Sequence, residues 1–368
     1  MKNLGVVFSM ALVAGSLGGL GCLDDQQSPS TKAYPAFTVS PGPQPDIIDS
    51  RGNRWIWVKQ VTPLNINVAD QEKANGPIYS PSTSPASSVP TNPTDLAAML
   101  HPRRLWQGHE YTLDHDPVEL SSAILASPTA PPTDPHSAPS SSSAGPSGTS
   151  AYIIGTDDRV YDGSLRQLWP WSTTLYVNPQ DCGATMIGRS TAVSAAHCFY
   201  NHGWISTIKM VPAADGLTEL WNDYPSNLIS FTLPGGWNGY GDWDYDYAVI
   251  EFGFSGTFPG DTTGWLGTVD DYDNREEIDG FPGDKPVPQL WGGWAGVFDQ
   301  NNTRRKHDID IIPGDSGSGM YMQRNHQVDG IQSTQNYSWW FGYTYWNEAT
   351  RWNATLYNFY HQYGLWPS

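Results

Sequence analysis

A serine set among glycines, in the run Pro313-Gly314-Asp315-Ser316-Gly317-Ser318-Gly319, follows the segment Ser194-Ala195-Ala196-His197-Cys198 at a distance of about 120 residues. A serine hydroxyl is a weak nucleophile at neutral pH unless an imidazole takes its proton, and the oxyanion formed on attack needs backbone N–H donors close by. The glycines permit a tight turn that presents the serine and leaves bare amides pointing one way. Between the two segments, Asp246 heads the apolar run Asp246-Tyr247-Ala248-Val249-Ile250-Glu251-Phe252. An acid there is held by strand packing and can orient an imidazole through its second nitrogen. The chemistry expected of the set is hydrolysis of acyl bonds.

Residues so far apart in sequence must be brought together by a fold, and the region from Tyr152 onward has the pattern for one. Short strand-like runs are separated by Gly, Pro, Asn and Asp: 175–177, 184–187, 192–194, 208–211, 228–233, 247–252, 287–292, 319–322 and 328–331. That spacing predicts an all-β sandwich or barrel. Ala349, Trp352, Leu356, Phe359 and Tyr360 recur at helical spacing, which predicts a C-terminal helix over 347–362. Up to about Ser150 the chain is rich in Pro, Ser and Thr, most densely over 121–150, and such composition buries too little apolar area to offset ordering entropy. Within it, 47–64 alternates like one or two strands and 95–105 reads as a short helix. The expected organisation is an export signal over 1–21, a propeptide or low-complexity linker over 22–150, and a catalytic domain over 151–368.

Charge and cysteine usage narrow the setting. A net charge of -18 argues against nucleic acid and anionic membrane surfaces as partners, because phosphate binding needs clustered Lys and Arg. Met1-Lys2-Asn3 followed by the apolar stretch 4–20 reads as an export signal, too short and glycine-rich for a comfortable membrane span. Gly19-Leu20-Gly21 precedes Cys22, the position that bacterial lipoproteins acylate, and the stretch is an imperfect lipobox. Lipid anchoring through Cys22 and plain secretion both remain open. Three cysteines leave one over in an exported protein. A disulfide between Cys182 and Cys198, with Cys22 removed or lipidated, resolves the count. It closes a loop of about 15 residues, worth roughly 3 kcal/mol in the chain-entropy model, and pins the segment of His197.

The order AAHC, DYAVI and GDSGSG resembles the trypsin-fold serine proteases, over about residues 151–368. Within them it is most similar to the bacterial glutamyl endopeptidase branch, in the SGS that includes the nucleophile position and in a start like Ile153-Ile154-Gly155-Thr156-Asp157-Asp158-Arg159. The resemblance implies two six-stranded antiparallel β-barrels with the active site in the cleft between them, to which periodicity adds the C-terminal helix and composition a largely disordered Pro/Ser-rich pro-region ahead of them. It implies that His197 is the general base and acid, that Asp246 orients it and that Ser316 attacks the scissile carbonyl. The amides of Gly314 and Ser316 would form the oxyanion hole, each donor worth roughly 3 to 4 kcal/mol. Ser333 matches the serine that supports the buried acid and lines the substrate channel.

Substrate preference is read from positions where the chain departs from that branch. The glutamyl endopeptidases carry a histidine where Gln332 stands and a small hydroxyl residue near Ile311. Asp310 matches the acid that pairs with Lys or Arg in trypsin, although bacterial relatives carry acids there without that preference. Asp315 matches the acid that receives a new N-terminal ammonium in trypsin-type zymogens. No Lys or Arg lies between Arg104 and Arg159, so activation implies a different protease, or the enzyme itself, cutting within 147–153.

Other chemistry is weaker in the sequence. Asp242, Asp244 and Asp246 alternate, but Tyr247 and Gly253 stand where a helix-loop-helix calcium site needs Gly and Glu, so Asp242 and Asp244 read as solvated neighbours. The stretch Asp270-Asp271-Tyr272-Asp273 with Glu276-Glu277 reads as a solvated acidic loop, and His109-Glu110 with His115 misses the spacing of a zinc protease. Trp339-Trp340 with Tyr343, Tyr345 and Trp346 read as packing residues rather than a carbohydrate face. The expected protein is an exported monomeric serine endopeptidase acting on proteins or peptides, without metal or cofactor. The alternative is a catalytically silent binding protein of the same fold, against which the intact His197, Asp246 and Ser316 argue.

Overall fold

In a computed structural model the chain is described over residues 40–62, 90–127, 129–136, 153–154 and 156–364, apart from 206–207, 217–220, 222, 226–227, 240–241, 255 and 339–343. The signal, Cys22, the 147–152 part of the activation stretch and the aromatics Trp339, Trp340 and Tyr343 lie outside the described residues.

Two sheets, antiparallel apart from the parallel pairing of residues 267–268 with 327–328, curl into the two barrels of a trypsin-like fold. The first contains β1 (Ile47–Ile48), β2 (Arg54–Gln60), β3 (Arg103–Trp106) and β4 (His109–Leu113). The second begins with β5 (Val160–Tyr161), and the chain then returns to the first for β6 (Thr174–Asn178), β7 (Cys182–Met186), β8 (Thr191–Ser194), β9 (Lys209–Pro212), β10 (Tyr224–Pro225), β11 (Ile229–Leu233) and β12 (Ala248–Phe252). The order across the first sheet is β1-β2-β4-β3-β11-β12-β8-β7-β6-β9-β10. β13 (Gly267–Thr268), β14 (Glu276–Gly280), β15 (Trp291–Ala295), β16 (Val297–Gln300), β17 (Arg304–His307), β18 (Gly319–Met322), β19 (Gln327–Ser338) and β20 (Thr344–Arg351) complete the second.

The strands of the first sheet that surround the site are buried along their whole length. Residues of β7, β8, β11 and β12 lie inside, which fits their continuous apolar or β-branched composition. Each fully buried Val, Ile or Phe there contributes roughly 1.5–3 kcal/mol of transfer free energy. The one acid in this block, Glu251 on β12, has its pKa pushed well up by burial.

Two expectations change. The C-terminal helix is shorter than its periodicity implied: α4, as numbered after the three helices α1 (Pro93–Leu100), α2 (Val118–Ala126) and α3 (Pro259–Thr263), covers Ala354–Tyr363. The Asn353 side chain accepts the Leu356 N–H and sets its first turn, while Ala349 belongs to β20, paired with Gln332 and Arg305. The run 287–292 is strand only from Trp291, because Pro288 has no N–H to give to a ladder.

The strands expected within 47–64 are present, while the helix expected over 95–105 ends at Leu100 and 103–105 belong to β3; these elements do not stand apart. β3 pairs with β11 in the register Phe231↔Leu105 and Thr232↔Arg104, so the first sheet runs unbroken from β1 to β10. Arg104 is fully buried; its Nε donates to Thr232 Oγ1 at 3.0 Å, and its guanidinium lies 3.9 Å from the Trp55 ring centroid and bonds the Tyr363 carbonyl. Burial lowers its pKa to about 10, and the charges of Asp49 and Glu251 act against that fall.

Candidate active site

His197 lies in the short 3-10 turn Ala196–Cys198 that follows β8, and Asp246 lies just before β12, the strand paired with β8. The ladder therefore fixes their separation. His197 Nδ1 stands 2.8 Å from Asp246 Oδ2, and the His197 backbone N–H donates to Asp246 Oδ1 at 2.9 Å. Ser333, on β19, donates its hydroxyl to Asp246 Oδ2 at 2.5 Å. Thr350 Oγ1 donates to the Asp246 carbonyl at 3.1 Å, so the second barrel holds the acid from its far side. Both His197 and Asp246 are fully buried, and a buried carboxylate is stable only with such partners. The rings of Trp243 and Trp237 flank the imidazole at centroid distances of 6.0 and 6.4 Å.

Ser316 is delivered to this place by the second barrel. Its turn precedes β18; the Gly317 N–H donates to the Gln332 carbonyl at 2.8 Å and the Ser318 N–H to the Asp315 carbonyl at 3.1 Å. The Ser316 carbonyl accepts the Gly183 N–H at 2.8 Å and lies 3.7 Å from Cys198 Sγ. Cys182 and Cys198 are joined in a disulfide, with Cα atoms 6.3 Å apart, so one staple touches the segment of His197 and the backbone of Ser316. The grouping of Cys182, His197 and Cys198 within 4.8 Å is no metal site, because both sulfurs are used in that bond.

Two glycines of the turn are required by space. Gly314 has φ +114°, and a Cβ there would stand 2.4 Å from the Phe281 carbonyl oxygen. At Gly317, φ +85°, it would meet Ser194 Oγ at 2.1 Å and the Gly183 oxygen at 2.4 Å. Larger residues would push the Ser316 turn off the β7–β8 side of the cleft. Asp315 is held within the turn, Oδ2 accepting the Ile312 N–H at 2.9 Å.

The residues expected around the substrate are placed differently from one another. Gln332 is buried, its Oε1 2.9 Å from His307 Nε2 and its Nε2 donating to the Thr334 carbonyl at 3.2 Å. His307 was not singled out in the sequence; burial pulls its pKa down to about 4, which leaves a neutral imidazole at pH 7. Ile311 is buried among Ile278, Ile309, Met320 and Ala349. Asp310 is turned to the segment 154–158: Oδ1 accepts the Ile154 N–H at 2.8 Å and Oδ2 the Asp158 N–H at 3.3 Å. Burial raises its pKa to about 6, and a cationic substrate group would have to displace both bonds.

Asp244, Asp270 and Asp271 are arginine partners, whereas Glu276 of the same acidic stretch is buried in β14. Asp244 is buried, not solvated, because Arg304 Nε at 2.8 Å and Thr303 Oγ1 at 2.7 Å compensate its charge. Asp270 pairs with Arg351 at 2.6 Å, and Asp271 with Arg324 at 2.9 Å.

Residues 132–259 match the protein-family model described as Trypsin. The match takes in His197 and Asp246 and ends before Ser316. The match covers about a third of the chain, and the two curled sheets give the chain a trypsin-like fold. Among solved structures the chain is similar to a Glu endopeptidase in complex with MPD, at 24% identity over 58% of this chain and 99% of that one, with a TM-score of 0.49. It is similar also to the protease Anisep from Arthrobacter nicotinovorans, at 14% identity over 49% of this chain and 87% of that one, TM-score 0.42. A thermostable serine protease AL20 from an extremophilic microorganism has 15% identity over 51% and 94% of the two chains, TM-score 0.41. No curated protein sequence matches the chain.

Proposed function

We propose that the chain is an exported endopeptidase that cleaves peptide bonds through an acyl-enzyme, with Ser316 as nucleophile, His197 as base and acid, and Asp246 as the group that orients His197. The observation that carries this reading is the Asp246 carboxylate bound at once to the backbone and the Nδ1 of His197. With Asp246 on Nδ1, Nε2 is the nitrogen that takes the hydroxyl proton and returns it to the leaving amine. The amides of Gly314 and Ser316 receive the oxyanion. Ser333 fixes the acid and borders the channel.

Export is supported by the charged start and apolar 4–20 stretch, and by the Cys182–Cys198 disulfide, which persists in an oxidising compartment. Among the described residues no helix is long and apolar enough to cross a membrane. Cys22 offers the site for a lipid anchor, which intact mass of the isolated protein distinguishes from plain secretion. Activation is a cut within 147–153 by a protease that does not need Lys or Arg. The substrate is an unfolded or exposed stretch of protein; Gln332 in place of a histidine and Ile311 in place of a hydroxyl residue argue against a glutamate side chain in the pocket.

The test is cleavage of a diverse peptide library by the processed protein and by Ser316→Ala. The reading requires cleavage by the first only. Equal cleavage by both, or none by a folded and processed sample, overturns it.

A further inference from the structure

The segment ahead of the catalytic domain is bound to it at points that reach the base. Arg103, on β3, donates to the Trp237 carbonyl and lies 4.2 Å from the Tyr200 ring centroid. The Trp237 indole N–H donates to the Tyr200 carbonyl at 2.9 Å. The Gly236 N–H donates to the carbonyl of Met99, in α1, at 2.7 Å, and a Cβ on Gly235 would stand 2.7 Å from the His101 oxygen. The loop 234–237 is thus clasped from outside by residues 99–103. Its other side carries the fully buried Trp237 ring, 6.4 Å from the His197 ring and 5.3 Å from Trp243.

The segment is also fastened far from this loop. Asn53 and Gln362 exchange side-chain hydrogen bonds, at 3.2 Å to the Gln362 carbonyl and 3.0 Å to Asn53 Oδ1, and Trp55 meets the Tyr363 ring edge-on at 5.8 Å. In the second sheet, the Thr133 N–H donates to the Thr268 carbonyl at 2.8 Å, Gln327 Nε2 donates to the Thr133 carbonyl at 2.7 Å, and the rings of His136 and Trp265 stack at 4.3 Å. None of these contacts depends on the peptide link that follows residue 136.

We propose that residues 46–136 are a constitutive part of the protease rather than a releasable propeptide, and that Arg103 is a positioning residue for His197, acting through Trp237. The proposal rests on the assignment of His197 as base. Removing the segment would bare the edge of β11 and open Phe231 and Trp237 to water; keeping it gives the imidazole a fixed aromatic neighbour. The guanidinium holds a carbonyl with a charge-assisted bond while stacking on Tyr200, two tasks that alanine performs not at all and lysine in part.

The experiment uses the full chain, secreted and processed, with active sites titrated by a fluorophosphonate. Arg103→Ala is expected to lower kcat per titrated site about tenfold with KM changed less than about twofold, and to shift the acidic limb of the pH–rate profile; Arg103→Lys recovers part of the loss. A merely structural residue would lower Tm and leave these per-site values unmoved, and that result would overturn the positioning role. Mass analysis of the native active fraction decides the rest: residues 46–136 are expected in one-to-one amount, cut or uncut after 136, and full activity without them would overturn their constitutive place. A folded wild-type sample that fails to label would refute the hydrolase reading and the role of Arg103, while retention is still decided by mass alone.

Discussion

Asp246 grips His197 twice, one carboxylate oxygen on the backbone N–H at 2.9 Å and the other 2.8 Å from Nδ1. The paired bonds fix both the position of the turn and the orientation of the ring. Asp246→Asn keeps the shape but reverses the demand on Nδ1, which must then face an amide that donates. We expect kcat to fall about 10³–10⁴-fold with unchanged far-UV circular dichroism, read by hydrolysis of a peptide substrate near pH 7. A fall below about tenfold would remove Asp246 from the mechanism.

The Gly314 backbone is set by a collision that only glycine avoids. Gly314→Ala forces the turn away from the Phe281 carbonyl and moves one of the two proposed oxyanion donors. The expected loss in kcat is about 10²–10³-fold, with KM little changed, because the donor acts on the transition state. Steady-state kinetics on the folded variant provide the check.

Replacing Cys182 and Cys198 together by serine should destabilise the domain by roughly 3 kcal/mol, the value expected for a loop of about 15 residues. Denaturant unfolding measures this. Because the disulfide also touches the Ser316 carbonyl, fluorophosphonate labelling of the folded variant should slow as well.

His307 carries a pH signature. Its folded pKa, about 4, lies below the value near 6.5 of the unfolded chain, so the unfolded state binds the extra proton first. Its contribution is fully present above pH 6.5 and is lost as pH falls from there toward 4, by at most about 3 kcal/mol. His307→Gln should flatten that part of the stability–pH curve relative to wild type, measured by denaturant unfolding at pH 4.5 and 7. Parallel curves would contradict a buried neutral imidazole.

Much of the site was legible because its chemistry is local in sequence: His197 beside its cysteine, Asp246 at the head of an apolar strand, Ser316 among glycines whose steric need the structure bears out. The strand runs of the first barrel were legible for the same reason, being continuous apolar stretches. β14, β17 and β20 were not: Arg304 on β17 and Glu348 on β20 pair across their ladder, and Glu276 on β14 is a buried acid, so in each the strand is hidden behind charged residues. The place of residues 46–136 could not be read from composition. Flanking Pro and Ser gave a linker signal, whereas the decisive contacts, Arg104 on Trp55 and Thr133 on Thr268, join residues far apart in sequence.

The central claim is that Ser316 is a nucleophile activated by His197. Labelling of the processed protein with a fluorophosphonate, followed by peptide mapping, tests it directly. The account predicts one adduct, on Ser316, that vanishes in Ser316→Ala and forms far more slowly in His197→Ala. An adduct on another residue, or none on folded wild-type protein, would contradict it.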